Sequence, residues 1–249
     1  MTNERLAVST ADASELDSEL LDDFLARRAL SLVAEIGRDE ALVRLGVLAK
    51  VASRHAPTLV GLYAFGRVPQ HHFPEWGVGA AAFAGTTITD RIEARADLEG
   101  SVAALVAGAL GFVRERCGGV LSTESAYDEP TLREVLVNAV VHRDLRKTSR
   151  VALRMFADRL EIWSPGGPPE GLGDLEDLGR EGGVSQPRNP LLASIGRQAG
   201  LGEQVGRGLS LLVHAGSTGL DRRIEIRSTP RDVLVVVPSR WQRPRAALS

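Results

Sequence analysis

The sequence predicts an α/β protein: a small α+β module over residues 17–98, then a larger domain over 99–240 in which apolar helices alternate with strands joined as hairpins. Three observations carry this. The spacing of apolar residues switches between helical periodicity and short extended runs more than once along the chain. Clusters of Gly and Pro bound the extended runs. One helix-like stretch, EVLVNAVVHRDLRK (134–147), carries a polar residue at every fourth position.

Residues 1–16 are polar and acidic and are expected to be loose. LLDDFLARRALSLVAEI and EALVRLGVLAKVAS have helical periodicity. TLVGLYAFG (58–66), GVGAAAFAG (77–85) and DRIEARADL (90–98) read as strands, with VPQHHFPEWG as a loop between the first two. His71 and His72 in that loop are adjacent, and neighbours on an extended chain point to opposite sides, so they are not expected to share a metal. GSVAALVAGALGFVRER is helical, and the connector GGVLSTESAYDEP places Pro130 in the first turn of the Glu134 helix. RVALRMFA and RLEIWSP form a strand pair through a tight Asp158-Arg159 turn. The stretch SPGGPPEGLGDLEDLGREGGVSQPRNP is too rich in Gly and Pro for regular structure, and connections of that length are usually functional or disordered. NPLLASIGRQAGL is helical, EQVGRGLSLLVHA carries a Gly-x-Gly into a further helix, RRIEIRSTPRDVLVVVP is a hairpin, and residues 241–249 are expected to be loose.

Composition narrows the functional classes. A formal net charge of -2 gives no whole-surface attraction for nucleic acid or anionic membrane, so direct DNA binding is not supported. The single cysteine, Cys117, excludes an intrachain disulfide framework and fits a reducing cytoplasm. No apolar stretch reaches the roughly 20 residues a bilayer requires, and the N-terminus lacks a secretory pattern.

Steps of four residues advance about 40° around a helix, so Glu134, Asn138 and His142 form one narrow polar row. Leu132, Val135, Leu136, Ala139 and Val140 lie opposite, and Val137 and Val141 flank the row. A solvent face is usually broader and richer in Lys and Glu, so a polar stripe bordered by valines suggests a pocket lining. The chain contains no G-x-x-x-x-G-K-[ST] phosphate loop, no H-E-x-x-H zinc helix and no G-x-S-x-G nucleophile elbow. It does place Gly206-x-Gly208-Leu209 before a helix, where free amides and the helix dipole suit phosphate, although a tight turn explains the same residues.

The order E-x-x-x-N-A-x-x-H at 134–142, a strand ending in a Gly-bearing loop at 164–167, G-x-G-L at 206–209 and a closing I-x-I-x-S…V-x-V-x-P hairpin resembles the Bergerat-fold (GHKL) ATP-binding domain. More narrowly, LREVLVNAVVHRD, DRLEIWSPGG, RNPLLA and EQVGRGL resemble the ATPase-like region that follows a Schlafen-type AlbA domain in bacterial transcriptional regulators. FLARRA and PTLVGLYAFGRVPQHHFP resemble the segment linking the two domains there, so the likeness runs from about residue 20 to about residue 238, without the AlbA domain itself. It implies a Bergerat-type α/β sandwich, with a mixed, mostly antiparallel sheet covered on one face by helices.

The resemblance also implies roles. Asn138 matches the magnesium-binding asparagine, and Glu134 matches the carboxylate that activates water in hydrolytic members. His142 and Arg143 lie one turn on, within reach of phosphate or ribose. Ser164 stands where many members have an adenine-binding Asp, followed by Gly166 and Gly167. Residues 168–203 correspond to a lid, from which Arg188 and Asn189 would reach the nucleotide, while Gly206, Gly208 and Leu209 would cradle phosphate and Glu203 would serve as a cap or lid contact. Ser228 matches a position that often carries a hydroxyl residue near the site. The implied cofactors are ATP and Mg²⁺, and the implied function is ATP-dependent regulation of transcription with slow hydrolysis. The alternatives are an interaction or dimerisation module with a degenerate site, and a protein kinase of the anti-sigma-factor kind. Expected partners are the nucleotide, a second copy of the chain and a protein of the transcription machinery.

Overall fold

The computed structural model describes residues 4–121, 127–169, 186–198 and 224–239, together with the single positions 171 and 175. Residues 4–16, expected to be loose, are instead packed: Val8, Ala11 and Leu16 are buried, and the amides of Val8 and Leu59 donate to Pro57 O and Leu6 O. Helix α1 (Ser18–Arg28) starts at Asp17, whose carboxylate accepts from the amides of Glu19 and Leu20. Helices α2 (Leu30–Ile36) and α3 (Arg38–Arg44) follow, separated by Gly37 at φ +82°.

The stretch EALVRLGVLAKVAS is helical only as far as Arg44. Gly46, at φ +79°, turns the chain into β1 (Leu48–Val51), which forms a hairpin with β2 (Arg54–Pro57). TLVGLYAFG, expected as a strand, is helix α4 (Leu59–Phe65), capped by the Thr58 hydroxyl, which accepts from Gly61 N at 2.9 Å. Its residues from Val60 to Phe65 are all buried, so no polar alternation distinguishes strand from helix. Gly61 permits the packing, since a Cβ there would lie 1.9 Å from Val47 O.

Strands β3 (Val78–Phe83) and β4 (Ile92–Leu98) lie where the sequence predicts, followed by α5 (Val102–Arg116) and α6 (Glu129–Val141). Next come β5 (Val151–Met155), β6 (Arg159–Pro165), α7 (Pro190–Gln198), β7 (Glu225–Ser228) and β8 (Asp232–Pro238). The sheet order is β4-β3-β5-β6-β8-β7, and every neighbouring pair is antiparallel except β3 with β5. The expected boundary at residue 98 therefore falls inside one sheet: β3 and β4 belong to the same layer as the later strands, and the α+β module does not close on itself.

Strand alternation gives the sheet two faces. Val78, Ala80, Val151, Leu153, Leu160, Ile162, Val235 and Val237 point inward, where α5 and α6 cover them with Leu105, Leu110, Val113, Val135 and Leu136. Burying such side chains contributes roughly 1.5–3 kcal/mol each, so this layer dominates the core. The arrangement is an α/β sandwich, mixed and mostly antiparallel, with helices on one face. At the other end of the chain's path the buried Glu4 carboxylate accepts from Leu191 N at 2.9 Å and Leu192 N at 2.8 Å, capping the start of α7. Burial raises the pKa of Glu4 even against these two amides.

Candidate functional site

Helix α6 begins at Asp128, whose carboxylate accepts from the amide and the hydroxyl of Thr131, with Pro130 in the first turn. Glu134, Asn138 and His142 are half-buried, while Leu132, Val135 to Val137 and Ala139 to Val141 are buried. The polar row read from the spacing is thus a real stripe among apolar neighbours. Asn138 Nδ2 donates to Glu134 Oε1 at 2.9 Å, which orients the amide and leaves its oxygen as the remaining acceptor.

The end of α6 decides which other expected residues face a ligand. The last carbonyls of a helix lack intrahelical donors and need partners. Asn138 O receives His142 N at 3.0 Å. Ala139 O receives Ser164 Oγ at 2.7 Å, Val140 O receives Tyr63 Oη at 3.4 Å, and Val141 O receives Asn189 Nδ2 at 2.8 Å. Asn189 also donates to Arg143 O at 2.8 Å. Ser164 and Asn189, expected as nucleotide contacts, are therefore buried caps of the helix end. Their hydrogens are committed to carbonyls that would otherwise be orphaned.

Arg143, also expected at the nucleotide, turns inward and is fully buried. Its guanidinium donates to Glu75 O, to Lys147 O at 3.0 Å and to Ser149 O at 3.1 Å, which ties the loop after α6 to the turn before β3. Burial lowers its pKa from the ordinary value, and the neighbouring Tyr63 phenol is pushed up to about 12 by its own burial. Trp76 closes the same corner, with Nε1 donating to Leu145 O at 3.1 Å.

Arg188 occupies an intermediate place. It donates to Gly167 O and approaches Asp144 Oδ2 at 3.5 Å, so it latches the SPGG loop to the exit of α6, while its buried Nε has no partner. Burial pushes the Asp144 carboxyl up, but the hydrogen bonds and charge of Arg146, with Arg188, more than offset this and hold it low. Gly166 is required here twice over: its φ is +102°, and a Cβ would lie 2.6 Å from Asp144 Cβ. Gly167 passes so close to the turn between β7 and β8 that a Cβ would meet Thr229 O at 1.9 Å. Ser228 shares a cross-sheet row with Val233 and Ser164. Gly206, Gly208, Leu209 and Glu203 lie outside the described residues, as does most of the expected lid; within it, Pro190–Gln198 is helix α7.

The structure thus pairs Glu134 with Asn138 on the polar row and engages Arg143, Ser164 and Asn189 with backbone carbonyls around the end of α6. It adds Arg197, which sequence reasoning did not nominate: its charge, after burial and together with Arg188, lowers the His142 pKa to about 4. The only signal in the sequence was a basic residue in the last turn of a helix, which usually serves the helix dipole. Among the described residues no group of three or more His, Cys, Asp or Glu side chains could hold a metal. Magnesium at Asn138 would therefore depend mainly on substrate phosphates and water, as this ion commonly does.

The neutral state of His142 has a measurable consequence. Its pKa is about 6.5 in an unfolded chain and about 4 here, so the unfolded state binds more protons between those values. The stabilisation is complete above pH 6.5 and is lost as pH falls toward 4, up to about 3 kcal/mol in all. Relative to His142→Gln, the wild-type protein is expected to lose stability across that window and to run parallel above it. Denaturation midpoints for the two proteins at pH 4 to 7.5 that keep a constant difference would show that the ring is not held neutral.

Residues 148–237 match a family model described as "Putative ATP-dependent DNA helicase recG C-terminal", an ATPase-like domain. The match covers less than half of the chain. The structure is similar to the crystal structure of the DIP2311 protein from Corynebacterium diphtheriae, with a TM-score of 0.68 and 20% identity over 98% of this chain and 48% of that one. At that identity the likeness concerns the fold, and this chain spans about half the length of its structural relative. No curated protein matches the sequence.

Proposed function

We propose that the chain binds ATP with magnesium along the polar row of α6, as a Bergerat-type domain does, and that the bound state regulates a partner, with slow hydrolysis as a secondary activity. The observation that carries this reading is the Glu134–Asn138 pair, hydrogen-bonded at 2.9 Å in a half-buried stripe bordered by valines. An ATPase-like match over the adjoining strands supports it. Bound magnesium would neutralise phosphate charge, with Asn138 Oδ1 as the protein ligand. The Glu134 carboxylate would accept the proton of an attacking water. The family description names a DNA helicase, but this chain carries no G-x-x-x-x-G-K-[ST] phosphate loop, and we assign it no unwinding activity. A role in transcription rests on the sequence resemblance alone.

One observation favours a second reading, an interaction module with a degenerate site. Ser164 replaces a carboxylate and spends its hydrogen on Ala139 O, which leaves the adenine amino group without the usual acceptor and predicts weak discrimination between ATP and GTP. A thermal-shift titration with ATP, GTP and magnesium separates the two. Nucleotide at about 100 times its Kd should stabilise the protein by roughly 2.7 kcal/mol. No shift with either nucleotide at millimolar concentration leaves the interaction module as the surviving reading.

A further inference from the structure

The outward face of the six-stranded sheet carries two rows of side chains with an unusual order. Read across β4-β3-β5-β6-β8-β7, one row is Arg95, Ala81, Arg154, Glu161, Val236, Glu225. The next is Asp97, Gly79, Ala152, Trp163, Leu234, Arg227. All of these are half-buried or exposed, and among the described residues α5 and α6 pack on the opposite face.

Each row changes sign about its midpoint, between β5 and β6. In the first, plus, neutral, plus is followed by minus, neutral, minus. In the second, the outer positions are minus and plus. Side-chain size inverts as well: Gly79, Ala81 and Ala152 lie on one half, and Leu234, Val236 and Trp163 occupy the mirrored positions on the other. Such a surface is complementary to itself under a two-fold axis that runs parallel to the strands along the β5–β6 boundary. Rotation sets Arg95 against Glu225 of a second copy, Arg154 against Glu161, Asp97 against Arg227, Ala152 against Trp163 and Gly79 against Leu234. A two-fold contact requires the same patch on both subunits, as here.

Gly79 supplies a separate observation. A Cβ at this position would meet nothing within 4 Å, so nothing described inside the chain demands a glycine in mid-strand. Interior strand glycines often mark the close approach of another surface, and the two-fold brings Leu234 of the second copy over this one. Trp163, half-buried at the centre of the face, is the kind of residue enriched at interfaces.

We infer that two copies of this chain associate face to face through this sheet surface. Packed sheets lie about 10 Å apart with strand directions within about 30°, and the reach of arginine and glutamate absorbs the resulting offset at the edges. The central Glu161, 3.9 Å from Arg154 and 2.8 Å from Arg159 within one chain, would join its counterpart and both arginine pairs in one charge cluster at the axis. This inference does not depend on nucleotide binding.

The test uses the edge pair. Arg95 on β4 and Glu225 on β7 lie five strand spacings apart, about 24 Å, too far to meet within one chain. Both are exposed, so neither change should disturb folding, which circular dichroism will verify. By sedimentation velocity the wild-type chain should be a dimer. Arg95→Glu alone and Glu225→Arg alone each create two like-charge contacts per dimer and should raise the dimer Kd by about tenfold or more. An equimolar mixture of the two variants should form a heterodimer, because both contacts are then opposite in sign, and the double variant should dimerise like wild type. A monomeric wild-type chain, unaffected single variants, or variants that weaken the dimer and do not pair on mixing would each overturn the proposal.

Discussion

Replacing Arg143 by leucine is expected to destabilise the protein by about 2–3 kcal/mol, through the loss of a buried guanidinium hydrogen-bonded to three backbone carbonyls. The carbonyls of Glu75, Lys147 and Ser149 would lose a charged donor whose side chain is fully buried, and hydrogen bonds to charged groups contribute about 1.5–3 kcal/mol. Arg143→Lys should recover little, because an ammonium on a flexible stem cannot reproduce a planar fork aimed at three acceptors. Denaturant titration measures the loss, and a change below 1 kcal/mol would contradict a structural role. The same experiment separates architecture from ligand contact. At temperatures where Arg143→Leu remains folded, its affinity for ATP should match wild type, since the side chain points away from the polar row.

The second large effect concerns the pair that the proposed function rests on. Asn138→Ala removes the amide oxygen offered to magnesium and should weaken magnesium-dependent ATP binding by about tenfold or more, roughly 1.4 kcal/mol. Glu134→Gln keeps an acceptor for Asn138 Nδ2, so the amide stays oriented and affinity should change little, while any turnover disappears because a neutral amide cannot take a proton from water. Isothermal titration and a phosphate-release assay on the same preparations read both quantities. If Asn138→Ala binds ATP with magnesium as well as wild type does, the row is not the nucleotide site. If wild type binds but releases no more phosphate than Glu134→Gln, binding survives and hydrolysis does not.

Spacing made the Glu134 row legible because four-residue steps on a helix fix relative direction, and the half-buried stripe is where the periodicity places it. The same rule was silent about Arg143. It adjoins His142 just beyond the helix, where the chain no longer has a fixed period, and three carbonyls far from the row decided its direction. The partners of Ser164 and Asn189 were illegible for a related reason: they are helix-end carbonyls 25 and 48 residues away, and no local pattern records them. Helix α4 reads as a strand in the sequence because Val60 to Phe65 are buried on every side. The strands on either side of residue 98 were found, but their membership of the later sheet was not. That depends on the parallel pairing of Val78–Ala82 with Val151–Met155, a contact made across two intervening helices.

The carboxylate of Glu4 bonds to amides 187 and 188 residues further along. On a ribosome adding about 5–20 residues per second, that interval lasts on the order of 10–40 s. For all of it, the Glu4 carboxylate lacks its final partners, and helix α7, when it emerges, has its cap already waiting. Glu4 is therefore among the last residues to settle, and it settles at the start of α7, which follows Arg188 and Asn189 at the exit of α6. A nascent chain that stalls before Leu192 therefore has the polar row but not the amides that the Glu4 carboxylate caps.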